Sequence, residues 1–254
     1  MTTMLKIVSP APGPELANPD QHTVTVWSDI GCPWATLALH TLHARARQRQ
    51  QHLRIDHRSF PLELFNTTPT PKPILDAEIV AIAGYHPNLG WKPWPGPDSS
   101  YPVTTLPAME AVQAAKDPAI GGLVGSDELD AALRRAFYAD GRCISIHHVI
   151  LDVAAQCKHV DADQLAIALA QGSSRALVYR QWEIAKDPRV QGSPQMFATN
   201  SWTAHNPGVT YHWTAKPPVG FPRLENYNPS WTDQLLDRLV GCTPATTPVI
   251  TGKR

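Results

Sequence analysis

The stretch VTVWSDIGCPWATLALHTLHARA, Val24 to Ala46, constrains the fold of this chain more than any other. Thr23, Thr25 and Trp27 alternate with Val24, Val26 and Ser28 in a strand-like run, and Asp29, Ile30 and Gly31 interrupt it. From Cys32 the pattern changes to a helical period: Ala35, Ala38, Leu39, Leu42 and Ala46 mark one face, while Thr36, His40, His43 and Arg47 lie off it. The two histidines are expected to be solvated. Pro33 stands where a helix tolerates proline, because its missing N–H would have no intrahelical partner anyway. The break therefore points the thiol of Cys32 at a helix N-terminus, where unpaired N–H groups and the macrodipole favour a thiolate. A cysteine so placed titrates between about 3.5 and 7.5 rather than near 8.5. The alternative is a small buried cysteine at an ordinary strand-to-helix turn.

A second strand pattern follows at Leu53–Leu62, where Leu53, Ile55 and His57 alternate with Arg54, Asp56 and Arg58 until Pro61 stops it. The unit is βαβ, with parallel strands and a right-handed crossover. After the turn-rich link Asn66–Pro73, strand patterns vanish until about Asp187. Helices are predicted at Ile74–Ala83, Val103–Lys116, Asp127–Ala139, Ile146–Cys157, Ala162–Gln171 and Arg175–Lys186. Asp161 with Gln164 reads as a capping box, and Gly141 and Gly172 mark helix ends. The segment Gly84–Pro102, rich in proline and tryptophan, either covers a site or packs on the helices. Strand character returns at Val190–Asn200 and Gly208–Trp213, read as an antiparallel hairpin across Ser201–Gly208. A last amphipathic helix runs from Trp231 to Val240.

Composition narrows the function classes. The chain has 254 residues, 22 basic and 22 acidic, and no basic block or aromatic-interleaved cationic stripe, so nucleic acid is not an expected partner. No window reaches about 18 apolar residues, so no membrane association is expected. The N-terminal segment lacks an export signal and reads as a disordered leader on a cytoplasmic protein. The cysteines at 32, 143, 157 and 242 show no tandem spacing, which fits free thiols in a reducing compartment. Cys143 with His147 and Cys157 with His159 match no usual zinc spacing, and no metal is expected.

The element order, Cys32-Pro33-Trp34-Ala35 at the first turn and Ser193-Pro194 before QMFAT together resemble the DsbA-like thioredoxin family, in particular its cytoplasmic bacterial branch. That branch includes DsbA-family oxidoreductases, mycothiol-dependent reductases and the 2-hydroxychromene-2-carboxylate isomerase and kappa-class glutathione transferase group. The resemblance covers about 23–240. It implies an α/β thioredoxin-like fold with a large all-helical insertion: leader 1–21, thioredoxin-like part 22–70 and 188–241, insertion 71–187, tail 242–254. It makes Cys32 the catalytic nucleophile. Pro194 would be cis against the sulfur, with Ser193 offering its backbone to a thiol-bearing substrate as an added strand would. Pro33, Trp34 and Thr36 complete the implied substrate- or thiol-binding set. Trp34, exposed in the family pattern, either stacks on an aromatic substrate or packs against the insertion. Thr36 either hydrogen-bonds the sulfur or caps the local backbone, and Asp29 either raises the thiol pKa or simply shapes the turn.

Ala35 stands where a dithiol oxidoreductase carries its second cysteine, so an adduct on Cys32 persists until another thiol removes it. The expected activity is that of a monothiol oxidoreductase-like enzyme using an external low-molecular-weight thiol, glutathione or mycothiol. The alternative is a thiol-cofactor-dependent isomerase or transferase acting on a small aromatic metabolite of secondary metabolism. The third reading is a non-catalytic binding protein. Cys143 or Cys157 would be the remote candidates for resolving Cys32, and a homodimer is compatible with the resemblance.

Overall fold

The structure is a computed structural model that describes residues 13–198 and 201–241. The first unit forms as the alternation requires: β1 (Thr23–Ser28), α1 (Pro33–Gln48) and β2 (Arg54–Ser59), with β1 and β2 parallel and Thr23 opposite Arg54. Then come α2 (Leu62–Phe65), α3 (Lys72–Tyr85), α4 (Leu106–Ala114), α5 (Gly122–Tyr138), α6 (His147–Ala154), α7 (Ala162–Gln171) and α8 (Arg175–Ile184). The chain closes with β3 (Gln195–Ala198), β4 (Trp202–His205), β5 (Val209–Trp213), β6 (Pro222–Tyr227) and α9 (Trp231–Gly241). Four strands form one sheet in the order β2-β1-β3-β4, with β3 antiparallel to both neighbours. This is the thioredoxin-like arrangement that the resemblance implied, with a helical segment between β2 and β3.

β1 is central and buried on both faces. Val24 and Val26 pack with Leu39 and Leu42 of α1 and with Leu235 and Leu236 of α9, while Trp27 faces Phe60, Val190 and Phe197 on the other side. The leader expectation does not hold for its described part: Leu16 is buried against that second face, its carbonyl accepts the Trp27 Nε1–H at 2.8 Å, and Asn18 N–H donates to Thr25 Oγ1. Residues 1–12 and the expected tail 242–254 lie outside the described residues.

Two helix starts differ from the sequence reading by three residues or more. α4 begins three residues late because Glu63 takes the preceding polar groups: its Oε1 accepts from Thr104 Oγ1 at 2.6 Å and from Thr105 N–H at 3.0 Å. α5 begins five residues early, its first turn taking in Gly122 and Gly125. At Gly125 a Cβ would stand 2.4 Å from the His159 carbonyl oxygen, so glycine there lets the helix abut the α6–α7 loop. Asp161 caps α7 through Asp163 and Gln164 N–H, as expected.

The expected hairpin between Val190–Asn200 and Gly208–Trp213 is a correction. β3 pairs with β4, inside the segment taken as a connection, while β5 pairs with β6 in a separate two-stranded sheet. β6 was not read as a strand because it does not alternate throughout: a register shift at Thr210/Tyr211 lets it carry one extra residue, so Leu224 and Tyr227, three apart, turn to the same cluster.

The helical segment grips the sheet through Arg134. This side chain is 3% exposed, and its guanidinium donates to both Asp130 oxygens (2.7 and 3.1 Å), Ser28 Oγ (2.9 Å), Thr36 Oγ1 (2.9 Å) and the Asp29 carbonyl (3.0 Å). Arg134→Met strands the buried Asp130 carboxylate and is expected to cost about 3–5 kcal/mol in urea unfolding, with the Asp130→Leu/Arg134→Met double variant losing clearly less. A single-variant loss below about 1 kcal/mol, the scale of an exposed ion pair, would show that this clamp does not hold the junction.

Candidate functional site

Cys32 is the N-cap residue of α1. Its sulfur accepts the Ala35 N–H at 3.5 Å, and its S–H donates to the Ser193 carbonyl at 3.1 Å. The Ser193–Pro194 peptide bond is cis, as the resemblance implied, and the Ser193 hydroxyl accepts the Asp29 N–H at 2.9 Å. The turn between β1 and α1 is held from several elements. Asp29 Oδ1 accepts from Gly31 N–H and from Thr105 Oγ1 before α4, Asp29 Oδ2 accepts from Leu62 N–H, and Tyr138 donates to the Ile30 carbonyl. A Cβ at Gly31 would stand 3.0 Å from Thr105 Cγ2 and 3.2 Å from Asp29 Oδ1, so a side chain there would press on two groups that hold the turn. Asp29 thus shapes the turn, and its carboxylate also acts on the thiol in the direction the sequence reading gave. Thr36 caps the backbone rather than the sulfur: its hydroxyl donates to the Cys32 carbonyl at 3.0 Å and accepts from Arg134.

Trp34 corrects the family pattern. It is 4% exposed, stacked on Tyr211 with ring centroids 4.0 Å apart, and its Nε1–H donates to Glu78 Oε1 at 3.0 Å. It is therefore not a free platform for a ligand in this conformation. Around Cys32, Trp34 and Leu37 close Ile82 of α3, Leu89 and Trp91 from the proline-rich segment, and Val209, Leu224 and Tyr227 of the second hairpin. That segment does both things its composition suggested. Leu89 and Trp91 help cover the cysteine, and Trp94 packs on the helical core.

The cover leaves Cys32 5% exposed and decides its titration. Burial, followed by the Glu78 and Asp29 carboxylates, outweighs the helix terminus and pushes the thiol up to about 11. This reverses the expectation of a lowered value. The terminus supplies one N–H at 3.5 Å, and the S–H···O contact to Ser193 is one that only a protonated sulfur makes. Burial also raises the Asp29 carboxyl. It raises Glu78, which has Trp34 as partner and no cation, to about 7.

His43 is not solvated: its Nε2 lies 3.2 Å from Asp127 Oδ1, which also meets His57 Nε2 at 2.8 Å. Burial opposes charge on His43, but the Asp127 carboxylate outweighs it and raises the imidazole above its ordinary value. Cys143 and Cys157 are free thiols; Cys157 donates to the Val153 carbonyl and packs on the helical core, and neither joins the cluster around Cys32. Sequence reasoning missed Glu78, Arg134 and Tyr211. Glu78 was visible in outline, because Leu75, Glu78, Ile79 and Ile82 form one stripe of α3 with a carboxylate in it.

No protein-family model and no curated protein matches the sequence. Solved structures match it in shape. A probable DsbA oxidoreductase from Streptomyces coelicolor is 15% identical, over 89% of this chain and 92% of that one, with a TM-score of 0.57. The cytosolic disulfide reductase DsbM from Pseudomonas aeruginosa with GSH is 17% identical, over 86% and 96%, at 0.53. 2-Hydroxychromene-2-carboxylate isomerase is 13% identical, over 72% and 87%, at 0.50. What these share with the chain is the DsbA-like thioredoxin fold.

Two measurements follow from the electrostatics. Iodoacetamide should label native Cys32 slowly through about pH 9.5, while the urea-unfolded chain labels with a midpoint near 8.5; a native midpoint below about 7 would contradict the burial account. Glu78, raised from its unfolded value towards about 7, stabilises the fold below its unfolded pKa and loses that contribution as pH rises through 7. Glu78→Gln should therefore match the native chain near pH 4.5 and exceed it by up to ~3 kcal/mol near pH 8. An equal stability difference at both pH values would place the carboxyl in water.

Proposed function

We propose that the chain is a monothiol enzyme of the DsbA-like thioredoxin class, in which Cys32 exchanges with a disulfide and an external thiol completes the cycle. The observation that carries this reading is the contact between Cys32 Sγ and the Ser193 carbonyl at 3.1 Å, which sets a helix-capping thiol against the residue before Pro194. When the thiol lets go of that carbonyl, the carbonyl is free to accept a backbone N–H from a thiol-bearing substrate. Ala35 behind it offers no second sulfur. The disulfide reductase of the same fold that carries GSH supports a small thiol such as glutathione or mycothiol as the second reactant. Its description as cytosolic supports a cytoplasmic setting, and among the described residues no helix is long and apolar enough to cross a membrane.

In this reaction Cys32 attacks the glutathione sulfur of a mixed disulfide. A Cys32–glutathione bond forms, and the substrate thiol leaves with the proton that Cys32 gave up. A second glutathione then takes the first away as glutathione disulfide and returns Cys32 to the thiol. The chain's residues supply position. Arg134 and Asp29 fix the turn, Ser193 and Pro194 form the facing edge, and Glu78, near neutrality in its titration, is a buried proton acceptor beside the CPWA turn. A disulfide must first reach a thiol that is nearly covered, so the second hairpin, stacked on Trp34 through Tyr211, has to part from α1. We also propose that 22–70 with 188–241 act as the thioredoxin-like part and 71–187 as the insertion that closes over it.

One observation favours a second reading, a thiol-cofactor-dependent isomerase or transferase for a small aromatic compound: the thiol is held protonated under an aromatic cover of Trp34, Tyr211 and Trp91. The two separate on one variant. With a glutathionylated peptide and excess glutathione, Cys32→Ser should lose all turnover while folding normally. Retained turnover would remove Cys32 as nucleophile and favour the second reading. Tyr211→Ala should speed iodoacetamide labelling of Cys32 several-fold at unchanged pH; an unchanged rate would show that the hairpin is not the gate.

A further inference from the structure

A cleft of about 430 Å³ runs beside α1, between this helix and α5, beyond the turn that carries Cys32. It is roofed by Leu89 and Trp91 and ends at Thr36, one helical turn from Cys32, which does not line it. Its size falls within the ordinary range of small-molecule sites. The carboxylates that face it are already matched. Asp130 holds Arg134 in two hydrogen bonds, Asp127 is shared by His43 and His57, and Glu128 accepts from Lys158 and His159 N–H at 2.8 Å each and from the His159 ring.

One cation on the α1 wall is not matched. Among the described residues the Arg47 side chain, exposed on α1, has no hydrogen-bond or ion-pair partner. His40 lines the same wall, but partial burial and the neighbouring Arg47 hold its imidazole towards the neutral form. His43, between them, is held towards its charged form by Asp127. Leu39, Leu89, Trp91, Ala131 and Ala139 give the cleft an apolar surface, beside Asn88 and Arg135, whose guanidinium stands 3.7 Å from Asp140. Unmatched positive charge on one side and apolar surface on the other select a ligand of two parts. Inorganic phosphate would leave most of the volume and the whole apolar wall unused, and a neutral hydrocarbon would leave Arg47 without an anion.

We propose that this cleft is a ligand site separate from the Cys32 thiol groove, and that it takes a small organic anion: a carboxylate or sulfonate on a ring-bearing apolar body. The anionic group meets Arg47, and the ring lies against Trp91 and Leu89. Bidentate pairing with a guanidinium suits a planar or trigonal oxyanion, and a lysine at the same place would not read that shape.

The test uses the full chain and two probes of like body and different charge, 1-anilinonaphthalene-8-sulfonate and neutral N-phenyl-1-naphthylamine, followed by fluorescence titration. The sulfonate should bind saturably at one site, and Arg47→Gln should weaken it about tenfold, the loss of one charge-assisted contact, with little change for the neutral probe. Ala131→Trp, which fills the cleft from an exposed position, should remove both. Absence of saturable sulfonate binding, equal affinity in Arg47→Gln, or unchanged binding in Ala131→Trp would each overturn the proposal.

Discussion

The structure depends on one buried cation. Arg134, carried on a helix remote in sequence from the first βαβ unit, reaches the end of β1, the turn after it and the first turn of α1 with a single guanidinium. Its five donors in a fixed planar fork suit that task, and Asp130 one helical turn away balances the charge that burial would otherwise make costly. The helical segment is therefore not only a cover laid on a thioredoxin-like core. It fixes the loop that presents Cys32, together with Thr105 and Tyr138 on the same turn. A displacement of α5 would be felt first at the N-terminus of α1.

That arrangement sets two influences against each other at the cysteine. A helix N-terminus favours the thiolate by an amount that falls off within a turn, whereas burial under aromatic side chains penalises the charge throughout. Here burial wins, and the sulfur keeps its proton on the Ser193 carbonyl. A monothiol with no internal resolving partner is exposed to unwanted oxidation whenever it is ionised and accessible. A resting state that is neither accounts for why the second hairpin, absent from the four-stranded sheet, spends Tyr211, Leu224 and Tyr227 on this cover. Under the proposed reaction, reactivity would belong to an opened conformation, in which the sulfur regains water and the helix terminus its influence.

The sequence made the scaffold legible where periodicity and position agreed. β1, α1 and β2 follow from alternation and a helical stripe, α7 from its Asp161 cap and Gly172, and the cis Ser193–Pro194 bond from a resemblance resting on two separated motifs. It failed where three-dimensional partners override local pattern. β6 could not be read because the irregularity that turns Leu224 and Tyr227 to one side destroys the alternation that marks a strand. For Trp34 the reading left substrate stacking and packing against the insertion open; its bond to Glu78 of α3 fits the second, but nothing local announces that Tyr211 will lie on it. The thiol's titration was misjudged for the same reason: the helix terminus is a local feature, and the cover that outweighs it comes from three distant segments. Asp130 and Arg134 were readable as an i, i+4 pair, though their burial was not.

The central claim is that Cys32 is a single nucleophile whose adduct only another molecule can remove, and intact mass spectrometry with peptide mapping tests it most directly. After incubation with glutathione disulfide the native chain should carry one glutathione, on Cys32, that persists through removal of excess reagent and disappears on addition of reduced glutathione. An internal disulfide from Cys32 to Cys143 or Cys157, or glutathione found only on those residues, would contradict it.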